Sequence, residues 1–253
     1  MILGLEFPPL PHITNWPELF GNDTWGINKV VLIYGLAALI TIAIFKAGSK
    51  QQLVPTGMQN LAEMSVEFVE DGIVMETIGR EGLKYTPLLV TQFFFIFFCN
   101  IFEIVPVFQM PATARIALPM FLALFAYVVY HGSGFKEHGP IGYLKHATVP
   151  PGLPKALYVL VTPIEFLIKF IVTPFTHTVR LFANLLAGHI LLVTFAVLSS
   201  SLWALKPTLI IFPLPVLAVI AFVAFEILVS LLQAYVFTLL TGVYIGQAIS
   251  HEH

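Results

Sequence analysis

LYVLVTPIEFLIKFIVTPFTHTVRLFANLLAGHILLVTFAVLSS, residues 157–200, is apolar almost without a break. One perpendicular crossing of a bilayer needs about 20 such residues, and this run is far longer. Pro207 to Ile249 repeats the pattern after a short stretch, Ser199 to Lys206. Two such segments joined by a turn predict a hairpin of long, strongly tilted membrane helices over 157–249. Pro163, Pro174, Pro213 and Pro215 permit bends where neighbouring groups satisfy the freed carbonyls.

The remainder of the chain suits the same solvent. Of 253 residues, 58% are hydrophobic and 10% charged, against about 45–50% and about 25% in an ordinary soluble domain. The 12 basic and 14 acidic residues cannot furnish a water-facing surface for a chain this long. A soluble enzyme, a disordered tail and a disulfide-stapled secreted domain are all excluded. The net charge of −2 argues against nucleic acid, which requires a basic surface. Cys99 is the one cysteine, so no intrachain disulfide forms. Long apolar runs, not ten-residue alternations, favour helices over an outer-membrane barrel. The expected fold is all-α: a polytopic membrane protein of about five membrane-embedded helices with one amphipathic interfacial helix, forming a single membrane domain over 1–253.

Ile27 to Phe45 is the first span, closed by Lys46, Gly48 and Lys50. Residues 86–105 and 112–130 are the next two, the former ending near Asn100 and Glu103 and closed by Pro106. Residues 131–156 read as a Gly/Pro/His/Lys loop. Over 57–81, Glu63, Glu67, Glu70 and Asp71 recur at helical spacing with Leu61, Met64, Phe68 and Ile73 between them. That pattern predicts an acidic amphipathic helix on the membrane surface. Residues 1–26 hold four prolines, three acids and the interface-type Trp16 and Trp25, and no Lys or Arg. They read as an irregular extramembrane arm without the charged start of a signal peptide.

Basic residues in short loops set orientation. Lys46, Lys50, Arg80, Lys84, Lys136, Lys145 and Lys155 fall on one side, and Arg115 and Lys206 on the other. The N-terminal arm is therefore expected outside and the C-terminal His251-Glu252-His253 in the cytoplasm. No internal or inverted repeat is visible. The terminal His-Glu-His lacks the HExxH spacing, and no Gly-rich phosphate loop occurs, so no metal or cofactor is expected.

Function is written in the ionisable groups that persist inside the hairpin. Glu165, Lys169, His177, Arg180, Asn184, His189, Glu226 and Gln233 interrupt apolar sequence. A charge at the membrane centre costs about 2.5–3.5 kcal/mol on insertion scales, so its retention points to function. A guanidinium stays charged in proteins and cannot carry protons. Arg180 therefore reads as a fixed cation that stabilises a carboxylate. Asn184 lies one turn on, on the same face, which Gly188 continues and Ala183 and Ala187 flank; small residues let another helix approach closely. His189, nine positions from Arg180, looks toward the opposite face, and imidazole exchanges protons near neutral pH. Glu226, Ser230, Gln233 and Phe237 form one stripe of the last helix. Packed antiparallel, the two helices would present Arg180 and Gln233 to a partner while His189 and Glu226 line a wet cavity. Lys169 can also act as a snorkelling anchor. The Phe93–Phe98 cluster reads as packing or lipid-facing surface.

The string Pro174-Phe-Thr-His-Thr-Val-Arg180-Leu-Phe-Ala-Asn184-Leu-Leu-Ala-Gly188-His189, with Glu226-Ile-Leu-Val-Ser-Leu-Leu-Gln233-Ala downstream, resembles the family of a subunits of F-type ATP synthases. Asn100-x-x-Glu103-x-x-Pro106 and the acidic segment with Gln59, Asn60 and Glu63 resemble it too. The resemblance implies a stator subunit in a bacterial cell membrane, part of a multi-subunit complex, beside a ring of c subunits and with peripheral-stalk b-type subunits as partners. It gives Arg180 the role of the family's essential arginine, with Asn184 and Gln233 as polar neighbours. His189 and Glu226 match positions where many bacterial members place the acid first and the histidine second; here the order is reversed, which keeps one acid and one base in the same cavity. The acid upstream of the proline–arginine segment falls one residue out of step at Glu165, and the loop 111–116 lacks the family's Asp and Asn. Proton translocation is expected through Arg180, Asn184, His189, Glu226 and Gln233, with Glu165, Lys169, His177, Ser230, Asn100 and Glu103 as secondary candidates. Two other readings compete: a proton-coupled secondary transporter acting alone, disfavoured by the missing repeat, and a haem-bearing membrane protein, disfavoured because His177 and His189 would not share a helix face.

Overall fold

The computed structural model describes residues 28–49, 56–105, 108, 113, 115–149, 154–204 and 213–250. The N-terminal arm, Lys50, Pro106, Lys206 and the terminal His-Glu-His lie outside these residues. The described chain is helical, without strands. Five stretches are long and apolar enough to cross a bilayer: Lys29–Gly48, Arg80–Ile101, Ala117–Thr148, Leu157–Ser200 and Pro213–Ile249. The all-α polytopic fold holds.

Helix α1 is Lys29–Gly48. Its start is fixed by Asn28, whose Oδ1 accepts from the amides of Val30 and Val31, each at 3.1 Å, two of the donors a helix start otherwise leaves unpaired. The helix runs past Phe45, because Lys46 belongs to its last turn. Val30, Ile33, Ala37 and Thr41 form its buried stripe, while Leu32, Leu39 and Ile42 are exposed. For a span in lipid, exposed apolar residues are the expected outer surface.

The amphipathic segment is not one helix over 57–81. Helix α2, Met58–Val69, continues through a π-turn at Glu70–Val74 and a single turn at Met75–Thr77. It then stops at Gly79, whose φ of 80° closes the helix end with its amide on the Val74 carbonyl at 3.0 Å. A 3₁₀ stretch, Arg80–Tyr85, leads into α3, Thr86–Ile101. Leu61, Met64 and Phe68 are exposed, whereas Ile73 is buried. The described chain covers the end of the apolar face and leaves its middle exposed. Helix α3 ends at Ile101, short of the expected 105. Glu103 and Ile104 donate their amides to the carbonyls of Asn100 and Ile101, both at 3.1 Å, which are turn bonds, and Pro106 cannot extend a helix.

The third span is the largest departure. Helix α4, Ala117–Thr148, extends well past Tyr130 and absorbs most of the expected loop 131–156. It bends at Gly139 (φ 70°, ψ 166°), with Pro140 opening the second segment. That backbone region belongs to glycine, and proline suits a first helical position. Beyond the bend the chain packs back on itself: the Tyr143 hydroxyl and His131 Nδ1 share a hydrogen bond of 2.8 Å, and a Cβ on Gly134 would strike the Tyr143 ring. Gly139→Val is therefore expected to destabilise this segment by about 1–3 kcal/mol, read as a lower thermal midpoint of the detergent-solubilised protein; an unchanged midpoint contradicts the bend.

Helix α5, Lys155–Leu167, passes through a π-turn, Ile168–Val172, into α6, Thr173–Ala204. Proline at 174 supplies no amide, and the wider turn before it, with Thr173 Oγ1 donating to the Ile168 carbonyl at 2.9 Å, takes up the mismatch. Helix α6 continues through Ser199 to Ala204, so the hairpin turn does not begin at Ser199. Helix α7 is Pro213–Ile249. At 1.5 Å per residue, its 37 residues span on the order of 55 Å against a hydrocarbon core of about 30 Å, a mismatch that length alone turns into an expectation of tilt.

Packing divides the chain into two units. The first takes residues up to 41, 95–115 and 182–233, and its buried residues include Leu185, Asn100, Glu103, His189 and Glu226. The second takes 42–94, 116–181 and 234–253. Small residues set its close contacts: a Cβ on Gly246 would fall on the Thr77 carbonyl and one on Gly48 on Ala62. Close backbone approach of this kind is the usual way membrane helices associate. Phe93 and Phe94 pack on Phe68 and Phe45 at 5.7 and 5.4 Å between ring centres.

Candidate functional site

Arg180 lies in the second turn of α6 and is exposed. Among the described residues the ion pairs are Lys169–Glu165 and His189–Glu103, and no acid among them pairs with Arg180. Ala183, Asn184 and Ala187 are exposed as well. Their spacing from Arg180, three, four and seven residues, puts them on one face of the helix. This face is narrow in side-chain bulk and carries a cation and an amide, although it sits within an apolar span.

The other group is buried. His189 is 5% exposed, Glu103 3% and Glu226 2%. His189 Nδ1 and Glu103 Oε1 lie 3.1 Å apart; with a carboxylate as acceptor, the ring nitrogen donates. Glu103 owes its place to the turn that ends α3. Asn100, itself fully buried, accepts a 2.7 Å hydrogen bond from Thr113 Oγ1, and that side-chain bond fastens the turn. Glu226 of α7 lies against the bare Cα of Gly188: a Cβ there would overlap its carboxylate. One imidazole and two carboxyl groups thus come from three elements. Glu103 Oε2 and Glu226 Oε2 are buried without a hydrogen-bond partner among the described residues. Unmatched buried polar groups are costly, and groups of this kind persist where protons or water must be handled.

The stripe on α7 has the expected composition but an inward direction. Ser230 is fully buried and Gln233 is 3% exposed, so Gln233 is not presented outward alongside Arg180. Glu226, Ser230, Gln233 and Phe237 share one helix face, and that face is the buried one. Thr241 continues it and accepts from Gln92 Nε2 at 3.1 Å. His177 is 3% exposed, its ring 3.8 Å from that of Phe237 between centres. Glu165 and Lys169 face each other one turn apart at 4.0 Å, both partly exposed. Glu165 is therefore engaged locally, in a pair of the kind that contributes little energy.

The pairing of Glu103 with His189 is not visible in sequence, where the natural place to seek the acid partner of His189 is inside the hairpin. A single carboxylate at the end of a phenylalanine-rich span is the available signal. The cluster of Tyr130, His131 and Tyr143 escapes a sequence reading altogether, because the glycines after 131 suggest a loop. Tyr127, His131 and Phe135, spaced by four, carry the helical signal.

A helical membrane protein with buried ionisable groups and an exposed cation within an apolar span belongs with the membrane sectors of ion-driven machines. This chain belongs to the family described as ATP synthase A chain, whose sequence profile matches residues 30–246. It is 42% identical to ATP synthase subunit a of Rhodococcus erythropolis over 232 residues, covering 90% of this chain and 84% of the relative. It is 40% identical to that of Frankia alni over 252 residues, covering 97% and 87%, and 39% identical to that of Streptomyces lividans over 261 residues, covering 99% and 90%. Membership assigns the chain to proton transport and ATP synthesis, within a bacterial membrane complex built of several different chains.

Proposed function

We propose that the chain is the proton-conducting stator of the rotary motor, forming two offset half-channels against a ring of c subunits, with Arg180 as the charge between them. The observation that carries this reading is the exposed Arg180 on a face of small residues, unpaired with any acid among the described residues. A cation retained at such a position needs an anion from outside the chain. A ring carboxylate must be neutral to face lipid. On reaching Arg180 it ionises, because a nearby opposite charge favours the charged form. Its proton leaves on one side, and a new one loads from the other after rotation. Each crossing supplies about 2.3 kcal/mol per 100 mV of membrane potential.

His189, Glu226 and Glu103 handle protons in the loading half-channel. The imidazole has one nitrogen that can accept a proton and one that can give it up; Glu103 is hydrogen-bonded to it, and Glu226 lies against the neighbouring Gly188. Asn184 supports the ring-facing surface, and the buried Ser230 and Gln233 line the interior. Helix α2 and the short cytoplasmic segments receive the peripheral-stalk b-type subunits. The chain works as one membrane domain with its N-terminal arm outside and its C-terminus in the cytoplasm, the orientation favoured by the basic residues. ATP chemistry belongs to other subunits. Purification of the tagged chain from native membranes is expected to bring down a ring of small helical hairpins bearing a mid-membrane carboxylate. Solute uptake by the purified chain alone would instead establish an autonomous transporter.

A further inference from the structure

Helix α4 carries a buried polar cluster that neither the Arg180 face nor the His189 group uses. Tyr130, His131 and Tyr143 are 6%, 5% and 4% exposed. Tyr143 engages His131 Nδ1 at 2.8 Å; His131 Nε2 and the Tyr130 hydroxyl have no hydrogen-bond partner among the described residues. With Lys169, Thr173 and Tyr244 they line a cavity of about 190 Å³. A single water needs roughly 10–15 Å³ of such space and two to four polar partners, so the cavity has room for water. The rings extend inward from it: Tyr130 lies 5.5 Å from Tyr244, and Tyr244 lies 5.8 Å from His177, measured between ring centres. His177 stands three residues before Arg180.

Chain order gives this cavity a direction. On α6, Thr173 and His177 precede Arg180, and His189 follows it. On α7, Glu226 precedes Gln233, and Tyr244 follows it. Along α6, the cavity residue Thr173 and His189 therefore stand on opposite sides of Arg180. We propose that this cavity is the proton-release path, and that His131, held by Tyr143, passes protons through it. One proton enters at Nε2 as the proton on Nδ1 passes to the Tyr143 oxygen, which gives its own hydroxyl proton to the cavity; both groups end neutral, with the hydroxyl now donating to Nδ1. The ionisable groups around His131 are Tyr127, Tyr130, Tyr143, His146, Lys169 and Tyr244. None of these is a carboxylate, and His131 is the buried one among them with a ring nitrogen that lacks a hydrogen-bond partner among the described residues.

This assignment rests on the half-channel reading above, and the test separates the two. In inverted membrane vesicles holding the assembled complex, stripped of its soluble sector, passive proton conduction is measured. His131→Gln is expected to lower it by roughly tenfold or more. Tyr143→Phe, which keeps the ring and removes the bond, is expected to lower it by a smaller factor. In a Cys99→Ser background, Ala248→Cys at the cavity wall is expected to lose conduction, relative to the same protein untreated, when a membrane-impermeant thiol reagent is added on the cytoplasmic side, and the same reagent from the other side is expected to do nothing. Wild-type conduction in both His131→Gln and Tyr143→Phe overturns the proposal, as does an Ala248→Cys protein that resists the cytoplasmic reagent. If His131→Gln fails to assemble, the labelling arm decides. Loss of pumping in Arg180→Ala together with either overturning result removes this assignment and leaves the half-channel reading standing. Normal pumping in Arg180→Ala removes that reading itself.

Discussion

Replacing Arg180 with alanine is expected to abolish ATP-driven proton pumping in membranes that still contain the assembled complex. The effect follows from what the cation does for an acid it does not own. An opposite charge close by lowers a carboxyl pKa by about 1–3 units, each unit being about 1.4 kcal/mol. Removing it therefore reduces the ionised fraction of an arriving ring carboxylate by about ten- to a thousandfold, and release stalls. The side chain is exposed on α6 and pairs with no acid among the described residues, so its loss leaves no buried intrachain partner and assembly should survive. Arg180→Lys keeps a charge but not the planar fork, and lysine loses its proton more readily when desolvated; partial pumping is expected. Quenching of a pH-sensitive dye in inverted vesicles reads both variants, with ATP hydrolysis and the amount of assembled complex measured in parallel. Pumping at the wild-type rate in Arg180→Ala removes Arg180 from the mechanism.

The second large effect is expected at Gly188, which bears no functional group. A Cβ added there overlaps the Glu226 carboxylate, and that residue is 2% exposed. The side chain has room to yield only by swinging its acid away from its present position. Gly188→Ala is thus expected to keep the complex intact while cutting proton conduction by about tenfold or more, the scale associated with a misplaced proton-transfer group. Shortening the neighbour should make space again: Gly188→Ala with Glu226→Asp is expected to conduct better than Gly188→Ala alone. His189→Ala and Glu103→Gln, whose side chains share a 3.1 Å contact, should be non-additive when combined, as residues acting through one contact are. Additive losses would mean that the two serve separate routes. Wild-type conduction in Gly188→Ala would remove Glu226 from the path.

Sequence and structure agree where chain length and the membrane decide the outcome. Five apolar stretches are countable because each must satisfy its own backbone bonds in lipid. Arg180, His189 and Glu226 stand out because charge is rare there. Disagreement begins where one residue decides between two local conformations. Gly139 and Pro140 have the composition of a loop, yet they make a bend between two helical segments, and the Tyr143–His131 bond that fixes it joins residues twelve apart. Gly79 cuts the amphipathic helix in the same way. At the site, helical periodicity gives the face of each residue but not which face meets which element. Gln233, expected outward, is buried; Glu103, a secondary candidate, holds His189. Both outcomes depend on contacts between elements far apart in sequence, which periodicity within one helix does not encode.

The most direct test of Arg180 as a cation facing a moving acid is disulfide trapping on its own helix face. Ala187→Cys, in a Cys99→Ser background, is combined in turn with single cysteines placed along the ring subunit on either side of its mid-membrane carboxylate. Bond formation needs Cα atoms within about 7 Å. The expected result is a cross-link confined to positions within a turn of the carboxylate, which blocks rotation and is released by reductant. Cross-links formed only by cysteines far from the carboxylate, or none at any position in an assembled and active complex, would contradict it.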